Sequence, residues 1–159
     1  MAGMEQYLKW NKDIYAKDTL IRPYLVPLEV ELDPGTTTTG SDQFNNPDRY
    51  VYFIKAISGY VLKGANEDAL YVTVNLKVTH SDLNLMPTDR RFRLAWFMVD
   101  YEGSGNKKGL ELNVPFVVRP GASIIANFSL LSGISAGTKI MGILLQGVLV
   151  DKNLFASLR

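Results

Sequence analysis

The sequence predicts an all-β fold: an antiparallel two-sheet sandwich of jelly-roll type with a short N-terminal helix or arm. Three observations predict it. Several segments alternate apolar and polar residues with period two, as half-buried strands do. Clusters of turn-forming residues separate them at short intervals. No strand–helix alternation of the kind that builds a parallel sheet is present. The chain has 159 residues, which fits one domain large enough to fold without disulfide or metal. The expected organisation is a helix or arm at 1–22, a sandwich at 23–151 and a tail at 152–159.

The elements follow in order. Residues 4–17 (MEQYLKWNKDIYAK) carry good helix formers and neither Gly nor Pro. Tyr7, Leu8, Trp10, Ile14 and Tyr15 fall roughly on one face at helical spacing, which predicts a short amphipathic helix or an arm that docks on another surface, or else a helix packed on its own domain. In residues 24–32, Leu28, Val30 and Leu32 alternate with Glu29 and Glu31, and Pro27 places this strand at a sheet edge. Residues 33–48 (DPGTTTTGSDQFNNPD) read as a long polar loop, mobile or partner-binding, with Phe44 as its anchor; whether it meets a partner or an ion is left open by the sequence.

Residues 50–63 form an apolar strand in which Gly59 marks a bulge or bend. Residues 70–78 show the cleanest alternation, with Leu70, Val72, Val74, Leu76 and Val78 facing the core. Residues 91–101 (RFRLAWFMVDY) are apolar on both faces, and Phe92, Leu94, Trp96 and Met98 form one stripe. That predicts a central or covered strand. Residues 102–109 are a flexible connection. Residues 110–118 are a strand interrupted by Pro115. Arg119-Pro120-Gly121 is a turn, 122–130 a strand, and 132–137 a turn. Residues 139–150 are the last strand, where Gly142 and Gly147 permit close approach.

Composition excludes several kinds of chemistry. The net charge is +1, so no electrostatic field favours nucleic acid or an anionic membrane. Cysteine is absent and histidine occurs once, which argues against a zinc site. His80, Ser81 and Asp82 are adjacent in sequence and alternate in direction, so they form no catalytic triad. Glu29 and Glu31 read as a solvated face. Asp33, Asp42 and Asp48 match no calcium loop. No phosphate-binding loop occurs, because Gly103, Gly105 and Gly109 sit between strands. Asn127-Phe128-Ser129 matches a glycosylation sequon in a strand expected to be buried. Arg91 and Arg93 share one side of a strand beside Asp89 and Arg90. They either meet an anionic partner or pair with Glu29 and Glu31. The expectation is a protein without enzymatic activity or cofactor.

The second half carries a recognisable cadence. Arg91-Phe92-Arg93-Leu94 is followed by Val114-Pro115-Phe116, the Arg119-Pro120-Gly121 turn, the strand 124–130, and the apolar strand 140–150 centred on Leu145-Gln146-Gly147. This resembles the small β-sandwich structural proteins of tailed bacteriophages. The resemblance implies a virion component made in the host cytoplasm: a minor capsid, decoration, neck or tail protein. Its partners would be copies of itself and other virion proteins, with no membrane. The interface candidates are Trp10, Tyr15, Phe44, Arg91 and Arg93. A second class also fits the pattern, a ligand-binding sandwich that displays aromatic rings to a glycan or a host receptor.

Overall fold

In the computed structural model, residues 21–79, 91–98 and 110–157 are described. The strands are β1 (Ile21–Leu32), β2 (Thr39–Asn45), β3 (Tyr50–Lys63), β4 (Val72–Val78), β5 (Phe92–Arg93), β6 (Leu110–Val118), β7 (Ser123–Leu130) and β8 (Lys139–Asp151). Short 3-10 helices cover Asn66–Tyr71 and Leu94–Phe97, and a terminal helix α1 covers Lys152–Ser157. The strands form two antiparallel sheets, ordered β1-β8-β3-β6 and β2-β7-β4-β5. The chain is therefore an all-β, two-sheet sandwich. Pairing is nested: β1 with β8, β2 with β7, β3 with β6, and β4 with β5.

Period-two alternation supplies one core between the sheets. Leu28, Val30 and Leu32 of β1 are buried, as are Met141, Ile143 and Leu145 of β8. They face Val72, Val74, Leu76 and Val78 of β4, with Ile124, Ala126 and Phe128 of β7. β1 lies at a sheet edge, as Pro27 predicts. Pro23, Pro27 and Glu29 share a parity, and the Glu29 amide turns away from β8 to donate to Asp42 Oδ2 at 2.9 Å. The prolines thus occupy positions whose N–H groups would otherwise point out of the edge.

Four expectations need correction. Residues 33–48 are not a long loop: a tight turn at Asp33–Thr37 leads straight into β2. Its residues are polar because its outer face is wet, while Phe44 on the inner face meets Tyr24 and Tyr52. The segment beginning at Arg91 is not a central strand. β5 is a two-residue edge strand, and Leu94–Phe97 winds into a 3-10 helix. Three residues per turn aim Leu94 and Phe97 inward and leave Trp96 62% exposed, which breaks the expected stripe.

Gly59 is not a bulge. The irregularities of β3 lie between Ile54 and Ala56 and between Val61 and Lys63. Gly59 instead admits the Leu94–Phe97 helix: a Cβ there would stand 2.9 Å from the Leu94 carbonyl oxygen. Finally, β4 begins at Val72 rather than Leu70, because the Asn66–Tyr71 helix precedes it. The Arg119-Pro120-Gly121 turn forms as expected, with Gly121 at φ +75° and the Ala122 amide donating to the Arg119 carbonyl.

Candidate assembly surface

Because directly paired residues share a face, the register defines what each sheet presents outward. The outer face of β2-β7-β4-β5 carries Thr39, Ser41, Gln43 and Asn45 of β2. It also carries Ser123, Ile125, Asn127 and Ser129 of β7, and Thr73, Asn75 and Lys77 of β4. That face is polar, as a solvated antiparallel sheet should be. Asn127 is exposed on it, so the sequon strand is buried on one side only.

The outer face of β1-β8-β3-β6 differs. It carries Pro23, Leu25 and Pro27 of β1, Ile140, Leu144 and Val148 of β8, Phe53 and Ala56 of β3, and Val117 of β6, with a polar pair at its centre, where Gln146 Nε2 donates to Ser58 Oγ at 2.8 Å, and with Glu29, Glu31 and Glu111 towards its margins. β8 is thus apolar on both sides. Helix α1 covers one end of this face: Leu154 and Phe155 pack with Ile21, Phe53, Val148 and Val150. The Phe53 and Phe155 rings meet edge-on at 5.6 Å. Asp151 holds the start of α1, its Oδ1 accepting from the Asn153 amide at 2.9 Å. Its Oδ2 accepts from Arg49 Nε at 2.9 Å. The Arg49 hydrogen bond, against the opposing effect of burial, holds the Asp151 carboxyl below its ordinary range.

Beyond α1 the apolar surface continues. Leu25 is 60% exposed and Val117 42% exposed, at opposite edges of the same face. Glu29 and Tyr60 bound the far end. Tyr60 lies across Gly142, where a Cβ would sit 2.7 Å from its hydroxyl oxygen, and donates to Glu29 Oε2 at 2.9 Å. Burial, reinforced by that carboxylate, raises the Tyr60 phenol well above its ordinary pKa. Its apolar ring forms part of the surface while its hydroxyl stays a donor.

β6 adds a further exposed feature. Ile54 opposes Phe116 while Ala56 opposes Glu111, so residues 112–115 arch out opposite Lys55. The arch contains Pro115 and presents Val114 at 79% exposure. An arched edge strand resists uncontrolled strand addition while displaying side chains.

The interface residues expected from sequence do not converge. Trp10 and Tyr15 lie outside the described residues, as do His80, Ser81 and Asp82. Phe44 is half-buried, with ring centroids 5.8 Å from Tyr24 and 5.9 Å from Tyr52. Arg91 and Arg93 are exposed at β5, where Arg91 Nη1 donates to Ser129 Oγ at 3.0 Å and Arg93 Nη1 to the Leu70 carbonyl at 2.6 Å. β5 and β1 belong to different sheets, which corrects the expected pairing of these arginines with Glu29 and Glu31 across one sheet. Sequence reasoning missed Leu25, Val114, Val117 and Trp96 as surface residues. The available signal was β8, apolar at even and odd positions alike.

Among the described residues, no group of three or more His, Asp or Glu side chains could hold a metal ion, and no helix is long and apolar enough to cross a membrane. Comparison with protein-family models, with curated proteins and with solved structures finds no match to this chain.

Proposed function

We propose that this chain is a non-enzymatic structural protein of a bacteriophage virion that works by assembling with copies of itself and with other virion proteins. The observation that carries the assembly reading is the contrast between the two outer faces, one largely polar and the other rich in apolar side chains. Exposed apolar side chains gathered on one sheet face, Leu25 and Val117 among them, are the kind of surface that marks an interaction site. The nested pairing supports a jelly roll, in which a long antiparallel ribbon is doubled and wound into two sheets. The virion assignment rests on the sequence cadence from Arg91 to Asp151.

Sedimentation velocity of the full chain over a wide concentration range tests the reading. The expected result is an oligomer that Leu25→Asp weakens by tenfold or more. Leu25 is largely exposed, so the variant should retain its folded signature. A monomer at every concentration, with no binding to capsid, neck or tail proteins, overturns the proposal.

A further inference from the structure

We infer that the apolar outer face of β1-β8-β3-β6 receives the amphipathic segment 4–17 of a second copy of this chain, so that assembly proceeds by arm exchange. The inference rests on the assembly reading above and names the occupant of its surface.

Three observations argue for this occupant. First, the segment offers a matching apolar stripe, Tyr7, Leu8, Trp10, Ile14 and Tyr15. As a helix the stripe from Tyr7 to Tyr15 would span about 12 Å at 1.5 Å per residue, close to the ~13 Å that four residues of extended strand cover. β1 offers a row of comparable length in Pro23, Leu25 and Pro27, bounded by Glu29. Second, charge is complementary. Glu29 and Glu31 lie at the open end of the face, and the segment carries Lys9, Lys12 and Lys17 against Glu5 and Asp13. Third, the attachment point favours a neighbour. Ile21 pairs with Val150 at the very end of the sheet where α1 sits, and its side chain is already packed in the α1 cluster. Only Asp18, Thr19 and Leu20 join the segment to β1, a reach of about 10 Å. To cover its own Leu25 row the segment would have to reverse within those residues and pass over α1. A second copy's face needs no such reversal.

The absence of cysteine makes the test clean. Ile14→Cys and Leu25→Cys proteins are prepared separately, mixed under native conditions and oxidised. The expected product is a mixed disulfide dimer of near twice the monomer mass, formed at least tenfold faster than either protein forms with itself. In parallel, Trp96→Phe leaves Trp10 as the only indole. Trp10 emission should shift to the blue as concentration rises, and Leu25→Asp should abolish the shift.

A double-cysteine chain that closes only within itself overturns the exchange. An oligomer whose mass is unchanged after removal of residues 1–17 also overturns it, while leaving the assembly reading standing. A chain that stays monomeric throughout overturns both.

Discussion

Lys139 is 3% exposed and Asp68 5% exposed, and their charged groups meet at 3.1 Å. Ser135 joins them, donating to Asp68 Oδ1 and accepting from Lys139 Nζ, while the Ala65 amide donates to Asp68 Oδ2. This network ties the first residue of β8 to the Asn66–Tyr71 helix. Burial disfavours the Asp68 charge, but the hydrogen bonds from Lys139, Ala65 and Ser135 outweigh it and lower the pKa. A depressed carboxylate contributes stability above its unfolded value of about 3.9, and loses it as pH falls through the lower folded value. Denaturant titrations from about pH 6 to about pH 2 should therefore show an acid limb that flattens in Asp68→Asn. Lys139→Met alone should cost about 3–5 kcal/mol, because it strands a buried carboxylate, whereas Asp68→Leu with Lys139→Met should be nearly neutral. Equal losses in the single and double variants would contradict this.

Asn46 is a second buried polar staple. Its Nδ2 donates to the carbonyls of Tyr50 at 2.8 Å and Arg119 at 3.0 Å, which ties the β2–β3 turn to the β6–β7 turn. Asn46→Ala should cost about 2–3 kcal/mol in urea unfolding, since buried acceptors then lose their donor. A change within error would mean that water replaces the amide.

Edges and coverings govern behaviour at the level of elements. β1 controls its open edge with Pro23, Pro27 and the Asp42 cap on the Glu29 amide. Pro27→Thr restores a donor there, and light scattering should show faster aggregation with the unfolding midpoint little changed. Unchanged scattering would show that the edge is already covered. α1 is a short helix held by Asp151 and by the Phe155 contact with Phe53. Phe155→Ala should lower stability by about 1–3 kcal/mol, less than for a fully buried ring because Phe155 is half-buried. It should also raise binding of a hydrophobic dye, as Val148 and Ile21 lose their cover. The Leu94–Phe97 helix shows why an apolar run is ambiguous: period two and period three both fit four residues. Gly59, distant in sequence, selects the second by letting the helix backbone approach β3.

The described residues form a sandwich with one polar outer face and one rich in apolar side chains, and that contrast organises its proposed role. A structural protein needs a unique orientation in its particle, and unlike faces provide one. Chemical denaturation should show a single cooperative transition for the sandwich core. Removing the apolar contrast with Leu25→Asp and Val117→Lys together should leave that transition in place while increasing solubility and reducing oligomer mass. Loss of the folded transition in this pair would show instead that the outer face contributes to the core.

The sequence by itself determined the strands with one wet side, β1 and β4 among them, because burial of one sheet face forces a period-two pattern that local composition records. It also determined the edge position of β1, since proline cannot donate to a neighbouring strand. Only the tertiary structure decided which strands neighbour one another, that β2 is a strand, that β5 is a short edge, and which apolar residues of β8 face outward. Those facts depend on contacts between residues far apart in the chain. A polar edge strand such as β2 reads like a loop until β7 pairs with it, and a strand apolar on both sides does not say which side meets its own core and which awaits a partner.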